Sequence, residues 1–249
     1  MPITRRRLAL LACIVLLPSW AIAQSLTVSA AASLTEAFKE IGARFDAARG
    51  GSTRFNFAAS GVLITQIAQG APVDVFVSAD QESVDRGVKA GLLDPATRRD
   101  FASNSLVLIV PAQDALAITA LGELNRADVR RIAVGKPATV PVGRYTRQAL
   151  ETVGLWTSVE PRIVYANSVR QVLDYVARGE ADAGFVYRTD AELARDKVRQ
   201  VVVVAGHAPV TYPAAVVQDS RQQAAARAFV DFLAGPEAQA ILARHGFDK

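Results

Sequence analysis

The chain has 249 residues, 51% of them hydrophobic and 21% charged, with a formal net charge of +4 and one cysteine. That apolar content supports a large buried core and excludes a disordered chain, while a lone cysteine excludes an intrachain disulfide framework. The positive balance points toward an acidic partner, nucleic acid or a membrane surface, only if the charges cluster in the working part of the chain.

They do not. Residues 1–23 carry Arg5, Arg6 and Arg7, an apolar run from Leu8 to Trp20, and Ala21-Ile22-Ala23. A basic start, an apolar middle and a small-residue site are the parts of a secretory signal peptide, which predicts cleavage after Ala23. Pro18 interrupts the apolar run, which is too short to span a bilayer. The pair Arg5-Arg6 suits a general or a twin-arginine export signal. Its three arginines account for three of the four net positive charges, so the exported chain is close to neutral. No basic run with interleaved aromatics remains, which removes the case for nucleic acid. Cys13 leaves with the signal, and a chain without cysteine suits an oxidising compartment.

Beyond the signal, the pattern alternates strands and helices. Leu26–Ser29 reads as a strand, and Leu34, Ala37, Phe38, Ile41 and Phe45 follow at helical spacing. Arg54–Phe57 is a second strand, and a helix through Leu63, Ile64 and Ile67 ends near Gly70. Val73–Val77 is a buried strand with Asp74 as its polar exception. Leu106–Val110, Ile132–Val134, Ile163–Tyr165 and Gly184–Tyr187 are further strands. Helices are expected over Tyr145–Val153, Val169–Arg178 and Arg221–Leu233, with a last one ending near His245. Such alternation predicts an α/β fold with mixed, mostly parallel sheets. No floppy linker interrupts it, so any passage between lobes must lie at strand-like crossings, with Ser105–Val110 and Tyr212–Val217 as the candidates.

Ligands of open α/β sheets sit beyond the carboxyl ends of the strands. Here those loops are Ser29–Ser33, Ala58–Gly61, Val140–Gly143, Ala166–Val169 and Val186-Tyr187. They are rich in small residues and hydroxyls, and most run into a helix. A helix start offers unpaired N–H donors and a partial positive charge, an anion site without a formal cation. Each residue also has a plainer reading. Ser33 and Glu36 fit a capping box, Ser60 fits an N-cap, and Tyr187 fits a strand-end aromatic with a satisfied hydroxyl. Lys136, His207 and His245 read as surface residues.

Taken in order, Ala30–Thr35, Phe57–Ser60, Gly70–Asp80, Asn104–Val107, Val140–Tyr145, Ser168–Arg170, Gly184–Tyr187 and Gly235–Ala238 resemble the periplasmic molybdate-binding proteins of ABC transporters. The resemblance implies a two-lobed, type II periplasmic binding fold with the ligand in the cleft. It implies residues 24–104 as the first part of lobe 1, 105–215 as lobe 2, and 216–249 as the return to lobe 1. Carried over by motif, the hydroxyls of Ser33, Ser60 and Tyr187 and the backbone amides of Val142 and Val169 would bind the oxyanion. Two departures stand out. Gly61 replaces a small hydroxyl residue, and Val142 replaces an alanine, whose extra methyls would narrow the cleft.

A site of N–H and O–H donors suits a fully ionised dianion, whereas phosphate keeps a proton near neutral pH and gains from an acceptor. That chemistry leaves molybdate, tungstate and sulfate open; the resemblance implies molybdate or tungstate, without a further cofactor or a directly coordinated metal. The expected setting is a monomer in the periplasm, serving an ABC permease in the inner membrane. The alternatives are another tetrahedral oxyanion such as sulfate, or a ferric ion held by tyrosines. No catalysis is expected, because no G-x-S-x-G and no nucleophile–base motif is present.

Overall fold

The computed structural model describes residues 25–113 and 116–249. The expected signal peptide lies outside the described residues. The first half runs β1 (Ser25–Ala31), α1 (Thr35–Arg49), β2 (Ser52–Ala58), α2 (Ser60–Ala68), β3 (Val75–Val77), α3 (Gln81–Lys89) and β4 (Arg99–Asn104). After Ser105 come β5 (Leu106–Pro111), β6 (Ile132–Gly135), α4 (Pro141–Thr152), α5 (Trp156–Val159), β7 (Ile163–Ala166), α6 (Val169–Ala177), β8 (Ala183–Tyr187), α7 (Arg188–Leu193) and β9 (Val198–Val203). The chain ends with β10 (Val210–Val216), α8 (Gln223–Ala234) and α9 (Pro236–Arg244).

These strands build two five-stranded sheets, in the orders β2-β1-β3-β10-β4 and β7-β6-β8-β5-β9. In each sheet one strand opposes the other four: β10 in the first and β5 in the second. Those two strands are also the ones that follow each passage between sheets. The passages run side by side, because Val210 pairs with Asn104 and the Val204 N–H donates to the Leu106 carbonyl at 2.8 Å. The fold is thus α/β with mixed, mostly parallel sheets, as the alternating pattern predicts. The expectation of a second lobe reaching Ala215 needs correction. Strand β10 pairs with β3 and β4 of the first sheet, so the return crossing falls within 204–209, before Val210.

Burial explains the elements. Strand β1 is buried along most of its length, as a central parallel strand covered on both faces must be. Helix α1 buries Ala37, Phe38, Ile41 and Phe45 on one stripe, and Gly50 closes it at φ +68°. Phe38 and Phe45 meet Phe229 of α8 edge-on at 6.1 and 5.1 Å, which ties the C-terminal helices to the first sheet. Two local readings change. Helix α4 starts at Pro141, earlier than the hydrophobic spacing suggests, because proline fits a helix's first turn. The strand expected from Val73 begins only at Val75; Asp74 turns aside to accept from Thr27 N–H at 2.8 Å and the Ser220 hydroxyl at 2.6 Å.

The start of α4 lies tight against the end of β6. A β-carbon added at Gly143 would stand 1.8 Å from the Gly135 carbonyl oxygen. Only glycine lets the helix approach the strand so closely. Gly143→Ala should therefore lower stability by about 1–3 kcal/mol through overpacking, read as a lower urea midpoint with an unchanged far-ultraviolet spectrum.

Candidate functional site

The carboxyl ends of strands from both sheets converge on one small cavity. Its walls are Ala31, Ala32 and Ser33 after β1, Ala58, Ala59 and Ser60 after β2, Ala79 after β3, Val140, Pro141 and Val142 at the start of α4, Val169 at the start of α6, and Tyr187 at the end of β8. The atom-free space there, open solvent included, is about 210 Å³. All five residues singled out by sequence, Ser33, Ser60, Val142, Val169 and Tyr187, line it. Among the described residues, its walls contain no charged side chain.

Each polar group in the cavity has a distinct origin. Ser33 sits in a 3-10 turn, Ala32–Leu34, and not at the cap of α1; the cap residue is Leu34, and no side chain caps the helix. The expected capping box fails because both partners have tertiary contacts. Ser33 Oγ lies 3.1 Å from Tyr212 Oη, and Glu36 pairs with Arg170 at 2.5 Å. Ser60 is the first residue of α2 and not its cap, and its Oγ accepts the Ala79 N–H at 3.0 Å. Val142 and Val169 occupy the first turns of α4 and α6, where a helix leaves its amides without internal acceptors.

Tyr187 departs from the plainer reading of a satisfied hydroxyl. It is 1% exposed, and its hydroxyl is buried without a hydrogen-bond partner. Leaving a buried hydroxyl unmatched costs about 1–3 kcal/mol, so the group points to something absent from the bare protein. Burial pushes the Tyr187 phenol well above its ordinary range, with nearby Tyr212 adding to the shift. The hydroxyl therefore keeps its proton and remains a donor.

The two departures from the family pattern have structural explanations. The Gly61 N–H donates to the Thr139 carbonyl at 3.0 Å, directly joining the two lobes. A β-carbon at Gly61 would stand 2.6 Å from that oxygen, so a side chain there would push the lobes apart. The Val142 side chain is wholly buried, and its Cγ1 would lie 3.1 Å from a β-carbon added at Gly135. At least one of its methyls therefore packs toward the end of β6.

Charged residues hold the lobes together around the cavity. Sequence reasoning missed this role, although the residues lie within the matched motifs. Arg144, two residues after Val142, donates through Nε to Asp80 Oδ2 at 2.9 Å and through Nη2 to Ser83 Oγ at 3.2 Å. Arg170, next to Val169, meets Glu36 and, at 2.9 Å, buried Asp190. Asn104 Nδ2 donates to Thr189 Oγ1 at 2.9 Å, and Tyr145 Oη donates to the Ala79 carbonyl at 3.3 Å. A larger neighbouring cleft, about 530 Å³, is lined by Glu36, Arg170, Glu192, Arg244 and His245. Several of its charges already pair, Arg170 with Glu36, and Arg244 and His245 with Glu40. Lys136 is exposed, His207 Nδ1 lies 2.6 Å from the Ala208 carbonyl, and neither lines the cavity. Trp156 is buried with Arg147 over its ring at 5.4 Å and does not line the cavity either. Among the described residues, no group of three or more His, Cys, Asp and Glu side chains could hold a metal ion, and no helix is long and apolar enough to cross a membrane.

Two lobes closing on a small cavity at strand ends define a solute receptor. The model for bacterial extracellular solute-binding proteins matches residues 26–248, and the chain belongs to that family. Among its relatives, it is 38% identical over 227 residues to the molybdate-binding protein ModA of Escherichia coli (strain K12), covering 89% of this chain and 88% of the relative. It is 36% identical over 226 residues to the putative ABC transporter substrate-binding lipoprotein YvgL of Bacillus subtilis (strain 168), with coverages of 90% and 86%. The Azotobacter vinelandii periplasmic molybdate-binding protein superposes with a TM-score of 0.77 at 26% identity, covering 90% of this chain and 99% of that one.

Asp190, buried within the second lobe, makes the stability of the fold sensitive to pH. Burial raises its pKa from 3.8 to about 6, against the lowering effect of Arg170 and its bond from Tyr187 N–H. The folded state then holds a proton that the unfolded state has released, so this contribution to stability is full below about pH 4 and is lost as pH rises through 6. The thermal midpoint of the protein, measured relative to Asp190→Asn, should fall between pH 4 and 6 and level off above.

Proposed function

We propose that the protein is a periplasmic receptor that captures molybdate, and tungstate with it, and delivers it to an ABC permease in the inner membrane. The observation that carries this reading is the partnerless Tyr187 hydroxyl, buried in a carboxylate-free cavity whose other polar groups are serine hydroxyls and first-turn amides. Molybdate and tungstate are dianions that only accept hydrogen bonds near neutral pH. The hydroxyls of Ser33, Ser60 and Tyr187 and the amides of Val142 and Val169 can meet their oxygens from both lobes. Bonds to a charged acceptor are about twice as strong as neutral ones, which offsets the cost of drying the ion. Two of the relatives described above are molybdate-binding proteins, which supports the choice among oxyanions.

In this reading the first lobe comprises residues 24–104 and the return from β10 onward, and the second lobe lies between the crossings. Closure around the ion completes the donor set. The protein acts as a monomer, carries no resident cofactor, binds no nucleic acid and performs no reaction; no base stands behind either serine. Export with cleavage after Ala23 puts it in the periplasm.

Calorimetric titration with molybdate and tungstate tests the reading and should give one saturable site. Ser33→Ala or Ser60→Ala should each weaken binding by about 1.5–3 kcal/mol, with a modest fall in the thermal midpoint of the bare protein as Tyr212 or the Ala79 N–H loses its buried partner. Sulfate binding without a response to molybdate or tungstate overturns the ligand assignment. Unaltered affinity in the double variant overturns the site.

A further inference from the structure

A hydroxyl can donate or accept, so a serine in an oxyanion site binds well only if its proton faces the ligand. Behind Ser60 the Ala79 N–H, which can only donate, occupies one of the two Oγ lone pairs at 3.0 Å. The Ser60 proton is not spent on that partner and stays free for the cavity it lines. Behind Ser33 stands another hydroxyl, Tyr212 Oη at 3.1 Å, and either oxygen could be the donor on distance alone.

Asn104 resolves the direction. Its Oδ1 accepts the Ser105 N–H at 2.9 Å, which turns its Nδ2 toward Thr189 Oγ1 at 2.9 Å and Tyr212 Oη at 3.3 Å. An amide NH₂ only donates. Tyr212 Oη thus accepts from Asn104, and its single proton has Ser33 Oγ as its acceptor. With one of its two lone pairs filled from behind, Ser33 keeps its own proton free to donate into the cavity it lines. Tyr212 is wholly buried, with its ring edge-on to Phe247 at 5.3 Å and to Tyr187 at 6.1 Å, so the phenol is held in place. Burial also keeps it protonated, far above its ordinary range.

We propose that Tyr212, oriented by Asn104, is a positioning residue that favours Ser33 as a donor into the cavity and so biases it toward fully deprotonated oxyanions over singly protonated ones. The proposal rests on the oxyanion-receptor reading. It also gives the crossings a second role. Asn104 ends β4 at one crossing and Tyr212 lies in β10 just after the other, so the two strands that join the lobes also set the direction of a donor at the site.

Calorimetry at pH 7 with molybdate, tungstate, sulfate and inorganic phosphate tests it, using the wild type, Tyr212→Phe, Ser33→Ala and the double variant. Tyr212→Phe keeps the ring and frees Ser33 Oγ to accept. It should weaken molybdate binding about tenfold, the worth of a misdirected bond to a charged group. Phosphate should not weaken in parallel, so the molybdate-to-phosphate preference narrows by about the same factor. In the Ser33→Ala background, Tyr212→Phe should change molybdate affinity less than about twofold, because the two residues act as one unit. An unchanged preference, or an equal loss in both backgrounds, overturns the proposal and leaves Tyr212 a packing residue. If the wild type takes sulfate and not molybdate, the ligand assignment fails while the sulfate-to-phosphate preference still decides the role of Tyr212. Binding of none of the four ions overturns both.

Discussion

An oxyanion that has lost all its protons can only accept hydrogen bonds, and this one-sidedness constrains everything around the cavity. A group that turns a lone pair toward it repels it, and burial magnifies the error. The protein meets the constraint with atoms whose direction is fixed. Amides in the first turns of α4 and α6 can only donate, and the helices hold them in place. The serine hydroxyls, which could turn either way, are backed by the Ala79 N–H and by the Tyr212 phenol. Tyr187, with nothing behind its hydroxyl, is the one group whose proton the bare protein does not direct.

Formal charge is kept out of the cavity and used at its edges. Arg144 and Arg170 follow closely on the two valines that line the cavity, yet both spend their charge on carboxylates. Asp80 and Glu36 belong to the first lobe, so these pairs fasten the lobes together on two sides. A guanidinium inside the cavity would bind anions of many kinds. Neutral dipoles held by helix ends and buried partners discriminate by size and by proton content instead. Gly61 extends this economy, since the absence of a side chain lets its backbone reach the Thr139 carbonyl of the other lobe.

The sequence carried more of the site than of its supports. Small-residue loops at strand ends mark where a ligand approaches backbone, and the five residues drawn from them meet in one cavity. What stayed hidden depends on distant partners. The Ser33–Glu36 spacing suits a cap, yet Tyr212 and Arg170 outbid the local bond, and no local pattern reveals contacts so remote in sequence. Strand β4 opens on Arg99 and Asp100 and shows no clean alternation; its identity comes from pairing with β10. Strand β9 did carry a signal, the β-branched run Val201–Val204. The end of the second lobe is not legible locally, because Tyr212–Val217 looks equally like either sheet until its neighbours β3 and β4 are known.

The central claim is spatial: a single oxyanion sits among Ser33, Ser60, Val142, Val169 and Tyr187, touched by donors alone. Anomalous diffraction at the molybdenum edge, from crystals grown with molybdate, measures this directly. The account predicts one strong peak in that cavity, with a donor facing each oxygen and the Tyr187 hydroxyl among them. A peak in the neighbouring cleft beside Arg170 and Glu36, or an ion in contact with a carboxylate, would contradict it.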